Sequence, residues 1–173
     1  MLQRAFRASR LDASLYEEVE YNTSYTQEAA TVVVLANLLG AIGAWLGPGQ
    51  QSLIGAILTG VLGGVIGWLV WSGIVLLVGT KIFNGTADYG EMLRVLGYAT
   101  APIALGIIPV IGGFVGAILA IIAGVIAVRQ GLDFSTGRAI GTVIIGFIGY
   151  VIVVAIIGAI FAGIGLAGAP LLG

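Results

Sequence analysis

The ionisable side chains are the residues with chemistry to offer, and they fall into three groups. The first comprises Arg4, Arg7, Arg10, Asp12, Glu17, Glu18, Glu20 and Glu28; the second Lys81, Asp88, Glu91 and Arg94; the third Arg129, Asp133 and Arg138. Guanidinium and carboxylate groups interleaved in this way suit pairing between loops, or docking of anionic lipid or a charged protein surface. Arg4, Arg7 and Arg10 recur every third residue and Leu2 and Phe6 lie four apart, so a helix over them presents a short basic amphipathic surface. The candidate docking residues are Arg4, Arg7, Arg10, Asp88, Glu91, Arg94, Arg129, Asp133 and Arg138.

Catalysis has little to work with. The chain contains no His and no Cys. That removes the commonest general base, the usual haem and zinc ligand, and any disulfide. Residues 29–80, 95–128 and 139–173 carry no charge. Intramembrane proteolysis needs a Ser–His pair or two Asp residues at depth, and ion pumping needs buried ionisable groups. Neither is expected, so the chain reads as a non-enzyme without cofactor or metal. A dinucleotide fingerprint does occur at Gly163-Ile164-Gly165-Leu166-Ala167-Gly168. It should follow a strand and precede a helix, with an acidic residue about 20 further on. Here it follows an apolar helix and no acidic residue comes after it, so the glycines read as packing residues.

The uncharged runs hold few polar groups. Asn37, Tyr98 and Thr100, near Pro102, form a candidate midplane polar site. An amide in hydrocarbon gains about 0.6–2 kcal/mol from a partner. Asn37 is expected to bond a neighbouring helix, with a substrate pathway as the alternative.

The composition says what positions these groups. The chain of 173 residues is 59% hydrophobic with 29 glycines, and 9% is charged. A soluble domain is about a quarter charged. The net charge of −1 supplies no field for nucleic acid. An integral membrane protein remains, and a span takes about 20 apolar residues. Gly47-Pro48-Gly49-Gln50-Gln51 breaks the first uncharged run into span 1 (Ala29–Leu46) and span 2 (Ser52–Thr80). Asp88 and Glu91 have capping-box spacing for helix 3 (Tyr89–Ile108), which Pro102 should kink. Helix 4 covers Ile111–Val128, and Ser135-Thr136 cap a fifth span from near Gly137 to Gly163.

Before these, residues 1–28 form an amphipathic segment. Ser14–Glu17 and Ser24–Gln27 have capping-box spacing there. It is not a cleavable signal, because its apolar run begins only at residue 29. The expected fold is an all-α integral membrane protein, a five-transmembrane-helix bundle (29–173) with short amphipathic N-terminal helices. Gly and Ala recur at four-residue spacing: Gly112, Gly116, Ala120 and Gly124 in helix 4, Gly60 with Gly64 and Gly63 with Gly67 in span 2. Such stripes let helix backbones approach, within one bundle or across a homo-oligomer face.

Arg4, Arg7 and Arg10 precede span 1, Lys81 and Arg94 flank the connection from span 2 to helix 3, with Glu91 and Arg94 in the first turns of helix 3 at headgroup depth, and Arg129 and Arg138 flank the connection from helix 4 to span 5. All seven fall on one side, which the positive-inside rule makes cytoplasmic. The N-terminus is then inside and the C-terminus outside.

The middle of the chain is also recognisable. The run Tyr89-Gly90-Glu91-Met92-Leu93-Arg94-Val95-Leu96-Gly97-Tyr98-Ala99-Thr100-Ala101-Pro102, then Ile108-Pro109-Val110-Ile111-Gly112, then Arg129-Gln130-Gly131-Leu132-Asp133-Phe134-Ser135-Thr136-Gly137-Arg138-Ala139, resembles Yip1-domain proteins. The resemblance covers residues 15–165. It implies a five-span membrane protein with its N-terminus inside. Eukaryotic members are membrane-embedded adaptors that engage prenylated small GTPases. This chain lacks their Asp-Leu-Tyr-Gly-Pro motif and is similar in its short form to prokaryotic members, which implies a plasma-membrane location in such a host.

The expected function is a membrane adaptor or organiser that binds lipid or a partner protein at its cytoplasmic face. The alternative is a small permease with a midplane site near the Pro102 kink. The layout predicts that reporters fused to the two ends report opposite compartments. It also predicts that the sequons at Asn22 and Asn84 stay unglycosylated in a eukaryotic host; a glycan at either reverses the orientation.

Overall fold

A computed structural model describes residues 1–47 and 52–168. Those residues form seven α-helices and one 3-10 helix: α1 (Leu2–Ser9), α2 (Ala13–Glu20), α3 (Tyr25–Leu46), α4 (Leu53–Phe83), α5 (Tyr89–Ala99), the 3-10 helix (Ala101–Ile107), α6 (Ile111–Gly131) and α7 (Thr136–Gly168). Four helices are long and apolar enough to cross a bilayer: α3, α4, α6 and α7 over Thr136–Ile160. At 1.5 Å per residue α4 is about 46 Å long, more than a bilayer core of about 30 Å needs, so it must tilt or extend beyond the hydrocarbon. Most of the turn expected over Gly47–Gln51 lies outside the described residues. Gly163–Gly168 continues α7, with no strand before it.

The helix ends follow local chemistry. Ser52 caps α4, its hydroxyl accepting from the Gly55 N–H. Asn84 ends that helix in the left-handed region, at φ 56°, a conformation Asn tolerates. The capping box of α5 forms in both directions: Asp88 Oδ1 accepts from Glu91 N at 2.8 Å, and Glu91 Oε2 from Asp88 N at 2.7 Å. Two other expected boxes do not form. Asp12, not Ser14, caps α2, accepting from the Ser14 N–H. Ser24 makes no cap bond with its side chain, and its hydroxyl donates to Asn22 instead. Aspartate and asparagine reach their own backbone two residues on more readily than Ser reaches three.

The largest departure from expectation is at helix 3. The sequence predicts one kinked helix over Tyr89–Ile108; α5 instead stops at Ala99 and the chain resumes as a 3-10 helix. Proline lacks the N–H for the helical ladder and crowds the carbonyl four residues back, and it disfavours α geometry at Ala101. Thr100 closes the end by donating its hydroxyl to the Gly97 carbonyl at 2.7 Å.

Carbonyls of the 3-10 helix face glycines on both neighbours. A Cβ at Gly43 of α3 would lie 1.7 Å from the Gly106 oxygen. One at Gly112 of α6 would lie 2.0 Å from the Leu105 oxygen, and one at Gly116 2.6 Å from the Pro102 oxygen. Irregular backbone at membrane depth is tolerated only where protein encloses it, and these glycines allow the enclosure. The other contacts set antiparallel neighbours: Gly60 and Gly64 of α4 lie against Ala41 and Asn37 of α3. Gly124, on the predicted stripe of helix 4, has open space beside it, as does Gly63.

The buried cluster is concentrated at one end of the bundle. Leu15, Tyr16 and Val19 of α2 join Ala29, Val32 and Val33 of α3, Met92, Val95 and Tyr98 of α5, and Ala127 and Val128 of α6. The N-terminal amphipathic segment therefore shares its apolar contacts with the long helices.

Gly43→Ala and Gly116→Ala are expected to destabilise the detergent-solubilised protein by about 1–3 kcal/mol, because backbone has to shift. Gly63→Ala and Gly124→Ala, in open space, should be neutral or stabilising by up to about 1 kcal/mol through helix propensity. Thermal unfolding of the four variants checks this.

Candidate functional site

The charged end of the bundle is built around α2. Its face carries Leu15, Tyr16, Val19 and Glu20, all buried. The last turn of any helix leaves carbonyls without partners and carries partial negative charge. Here Arg94 of α5 supplies the donors. Its Nε donates to the Val19 carbonyl at 3.0 Å and the Glu20 carbonyl at 2.9 Å, and Nη2 also donates to Glu20 O. Nη1 reaches the Thr26 hydroxyl at 3.4 Å. Arg94 is 4% exposed and forms no ion pair among the described residues. Its charge is spent on backbone acceptors inside the protein, and the side chain does not face solvent.

A second network links α1 to the long helices. Glu28, in the first turn of α3, accepts from Arg4 Nε at 3.1 Å and from the Tyr98 hydroxyl. Arg4 also stacks over Tyr25, 4.1 Å from the ring centre. Arg7 pairs with Asp12 at 2.7 Å and with Glu18 at 2.5 Å. That hydrogen-bonded guanidinium, helped by the Ser14 hydroxyl, holds the Asp12 acid below the usual carboxylate range. Arg10 is exposed, beside Phe6 at 5.5 Å.

The two loops predicted to pair do not meet in an ion pair among the described residues. Asp88 and Glu91 serve as the α5 cap. Arg129 donates Nε to the Gln130 amide oxygen at 2.9 Å, and Gln130 donates to Glu17 at 2.6 Å. Asp133 is exposed in the turn after α6, with φ 55°, and Arg138 is exposed near the start of α7. Glu17, Glu20, Tyr21, Arg129, Gln130, Asp133 and Phe134 line a half-open cavity of about 340 Å³.

Glu20 is the residue that the sequence reading passed over. It is 3% exposed and its carboxylate has no hydrogen-bond partner among the described residues. Burial, reinforced by Asp133, Glu91 and Glu17 and opposed by Arg94, pushes its acid up to about 7. The signal was available: Glu20 follows Tyr16 by four residues, the spacing that puts both on one helix face. Glu28 was legible too, as the charge next to the first apolar run. Trp68 and Tyr89 had no such signal; they donate to the carbonyls of Leu93 and Leu69 at 3.0 and 2.9 Å.

The three midplane candidates are not brought together. Tyr98 turns to Glu28, and Thr100 bonds within its own helix end. Asn37 donates to the Val33 carbonyl of its own helix at 2.8 Å, rather than to a neighbour. Asn37 does line a cavity of about 760 Å³ between α3, α4, the 3-10 helix and α6, with Thr59 and a wall of Gly and Ala. Val110 on its rim has φ 66°, where the Ile111 N–H reaches back to the Pro109 carbonyl at 2.8 Å. This γ-turn is a strained one, more so for a β-branched residue.

The raised Glu20 acid makes a pH prediction. The folded state keeps the proton to about pH 7 and the unfolded chain releases it near 4.5. Stability from this group is therefore full below about pH 4.5 and falls as pH rises to about 7. Thermal unfolding over that range should show the loss, and Glu20→Gln should flatten it.

No curated protein and no solved structure matches this chain. The Yip1 domain family matches it over residues 13–156. That match begins at α2, ends within α7 and includes Arg94, Glu20 and the 3-10 break. With four long apolar helices and a match over most of its length, the chain is an integral, multi-pass membrane protein that belongs to the Yip1 domain family.

Proposed function

We propose that this protein is a non-enzymatic membrane organiser with five crossings, which engages lipid or a partner protein through its cytoplasmic charged end. In this reading α5 and the 3-10 helix together make the third crossing. Eleven residues at 1.5 Å and seven at 2.0 Å give about 30 Å, the thickness of a hydrocarbon core. The glycine-lined contacts that enclose the 3-10 carbonyls support that placement. An odd number of crossings puts the two ends on opposite sides, and the distribution of Lys and Arg puts the N-terminus in the cytoplasm. Residues 29–173 then form the membrane domain and residues 1–28 a cytoplasmic segment docked on it.

The observation that carries the reading is the division of labour among the cations. Arg94 is consumed inside the protein, and Arg4 and Arg7 hold α1 against α2 and α3. Arg10 and Arg138 stay exposed, and α1 leaves Leu2 and Phe6 76% and 62% exposed. An apolar pair flanked by a cation is the arrangement of a helix that lies in the headgroup layer. The absence of His and of buried acid–base pairs in the spans favours a non-enzyme.

A second reading, a small permease, draws on the cavity beside Asn37. Broken helices at a midplane cavity are a transporter feature. Proteoliposome flux that disappears in Asn37→Leu supports it; no flux for any candidate solute supports the organiser.

The main test is purification in mild detergent followed by flotation with vesicles. The organiser reading expects a preference for anionic over neutral vesicles or a co-purifying partner. It expects Leu2→Ser/Phe6→Ser and Arg10→Gln to weaken vesicle binding several-fold without unfolding. A monomer with no partner and no lipid preference overturns it.

A further inference from the structure

The cavity at the C-terminal end of α2 has an unusual charge composition. Glu17, Glu20 and Asp133 set three carboxylates around about 340 Å³, and Arg129 lines the same space. Glu17 is occupied by Gln130. Glu20 is not: it is 3% exposed, lines the cavity, and its carboxylate meets no donor among the described residues. The Glu20 oxygens keep some accessible area although the residue as a whole is buried, so the carboxylate is open to a cation that brings N–H groups. Arg129 commits only Nε, to Gln130, which leaves its two terminal nitrogens for an anion.

We propose that this cavity binds the headgroup of a phosphatidylethanolamine lipid, its primary ammonium on Glu20 and Asp133 and its phosphate on Arg129. The proposal rests on the reading that this end of the bundle lies at the membrane surface, and it names the lipid. Three observations select this chemistry. The site lies at the end of α6, a candidate membrane helix, where headgroups are expected. Its mixed lining of carboxylates and a guanidinium suits a zwitterion; a lone basic side chain from a partner protein would meet repulsion from Arg129. Finally, the ammonium donates three N–H bonds, whereas a choline has none and needs an aromatic cage. Such a cage is missing here: Phe134 stacks edge-on against Phe83 at 6.3 Å, and Tyr21 is 71% exposed. The cavity volume is that of a small ligand site.

The test is native mass spectrometry and thermal unfolding of the full chain in detergent. The added probes are dioleoyl phosphatidylethanolamine, dioleoyl phosphatidylcholine, or soluble phosphoethanolamine. The ethanolamine lipid should be retained about tenfold over the choline lipid, the size of a charge-assisted hydrogen bond, and should raise the unfolding temperature. Glu20→Gln should abolish that preference, whereas Arg129→Gln, which removes the contact to the phosphate both lipids carry, should weaken retention of both. Asp133→Asn should weaken it, and because Asp133 is exposed and Asn accepts its positive φ, this variant separates binding from folding. Equal retention of the two lipids, or a preference that survives both Glu20→Gln and Asp133→Asn, overturns the proposal. Soluble phosphoethanolamine acting at the same concentration as the lipid overturns the assignment to a membrane source, and displacement of the lipid by a lysine-rich peptide overturns it in favour of a protein ligand. Anionic-vesicle flotation run in parallel separates the two levels. Loss of that binding sinks the organiser reading; loss of the ethanolamine preference alone sinks only this site.

Discussion

A guanidinium withdrawn from water has to be given acceptors, and the carbonyls at the end of a helix need donors. Arg94 answers both needs at once, and the charged end of this protein is arranged around that contact. It fixes α2 to α5 without a carboxylate, so no second ion has to be desolvated. Docking α2 then buries Leu15, Tyr16 and Val19 against α5 and α6, and it carries Glu20 into an enclosed position. Truncating Arg94 would leave two buried carbonyls, of Val19 and Glu20, without its donors, so its role is as much structural as electrostatic.

The same rule operates along the chain at the Pro102 break. Ending α5 at Ala99 frees backbone groups in an apolar setting. The neighbouring helices supply glycines where those carbonyls lie, at Gly43, Gly112 and Gly116. Small residues here do not merely thin a helix surface. They let one backbone enclose another, which makes an irregular segment tolerable in the middle of a membrane protein. The cavity beside Asn37 is the complementary result, since Gly and Ala leave space wherever no backbone fills it.

Charge near the membrane is thus used in three ways. Some of it is internal wiring, as with Arg94, Arg4 and Glu28. Some is local capping, as with Asp12, Asp88 and Glu91. What is left over, at Arg10 and Arg138, stays exposed at the surface. Membership of the Yip1 domain family fits this economy: the match runs through Arg94, Glu28 and the break alike.

The sequence by itself determined that the protein is membrane-embedded and helical, because ionised groups avoid hydrocarbon and the uncharged runs are long enough to cross it. It also determined where α3, α4, α6 and α7 begin, to within a residue or a turn, because caps and charges are local signals, and it carried the family resemblance in the Tyr89–Pro102 run. Only the tertiary structure decided that Pro102 ends a helix instead of bending it, since a bend or a break depends on whether neighbours can enclose the freed carbonyls. Tertiary packing also decided that Arg94 is buried, that Tyr98 serves Glu28 and not Asn37, and that Glu20 lines a cavity. Those outcomes depend on which helix end lies against which side chain across dozens of residues of chain, and spacing along the sequence does not encode that distance.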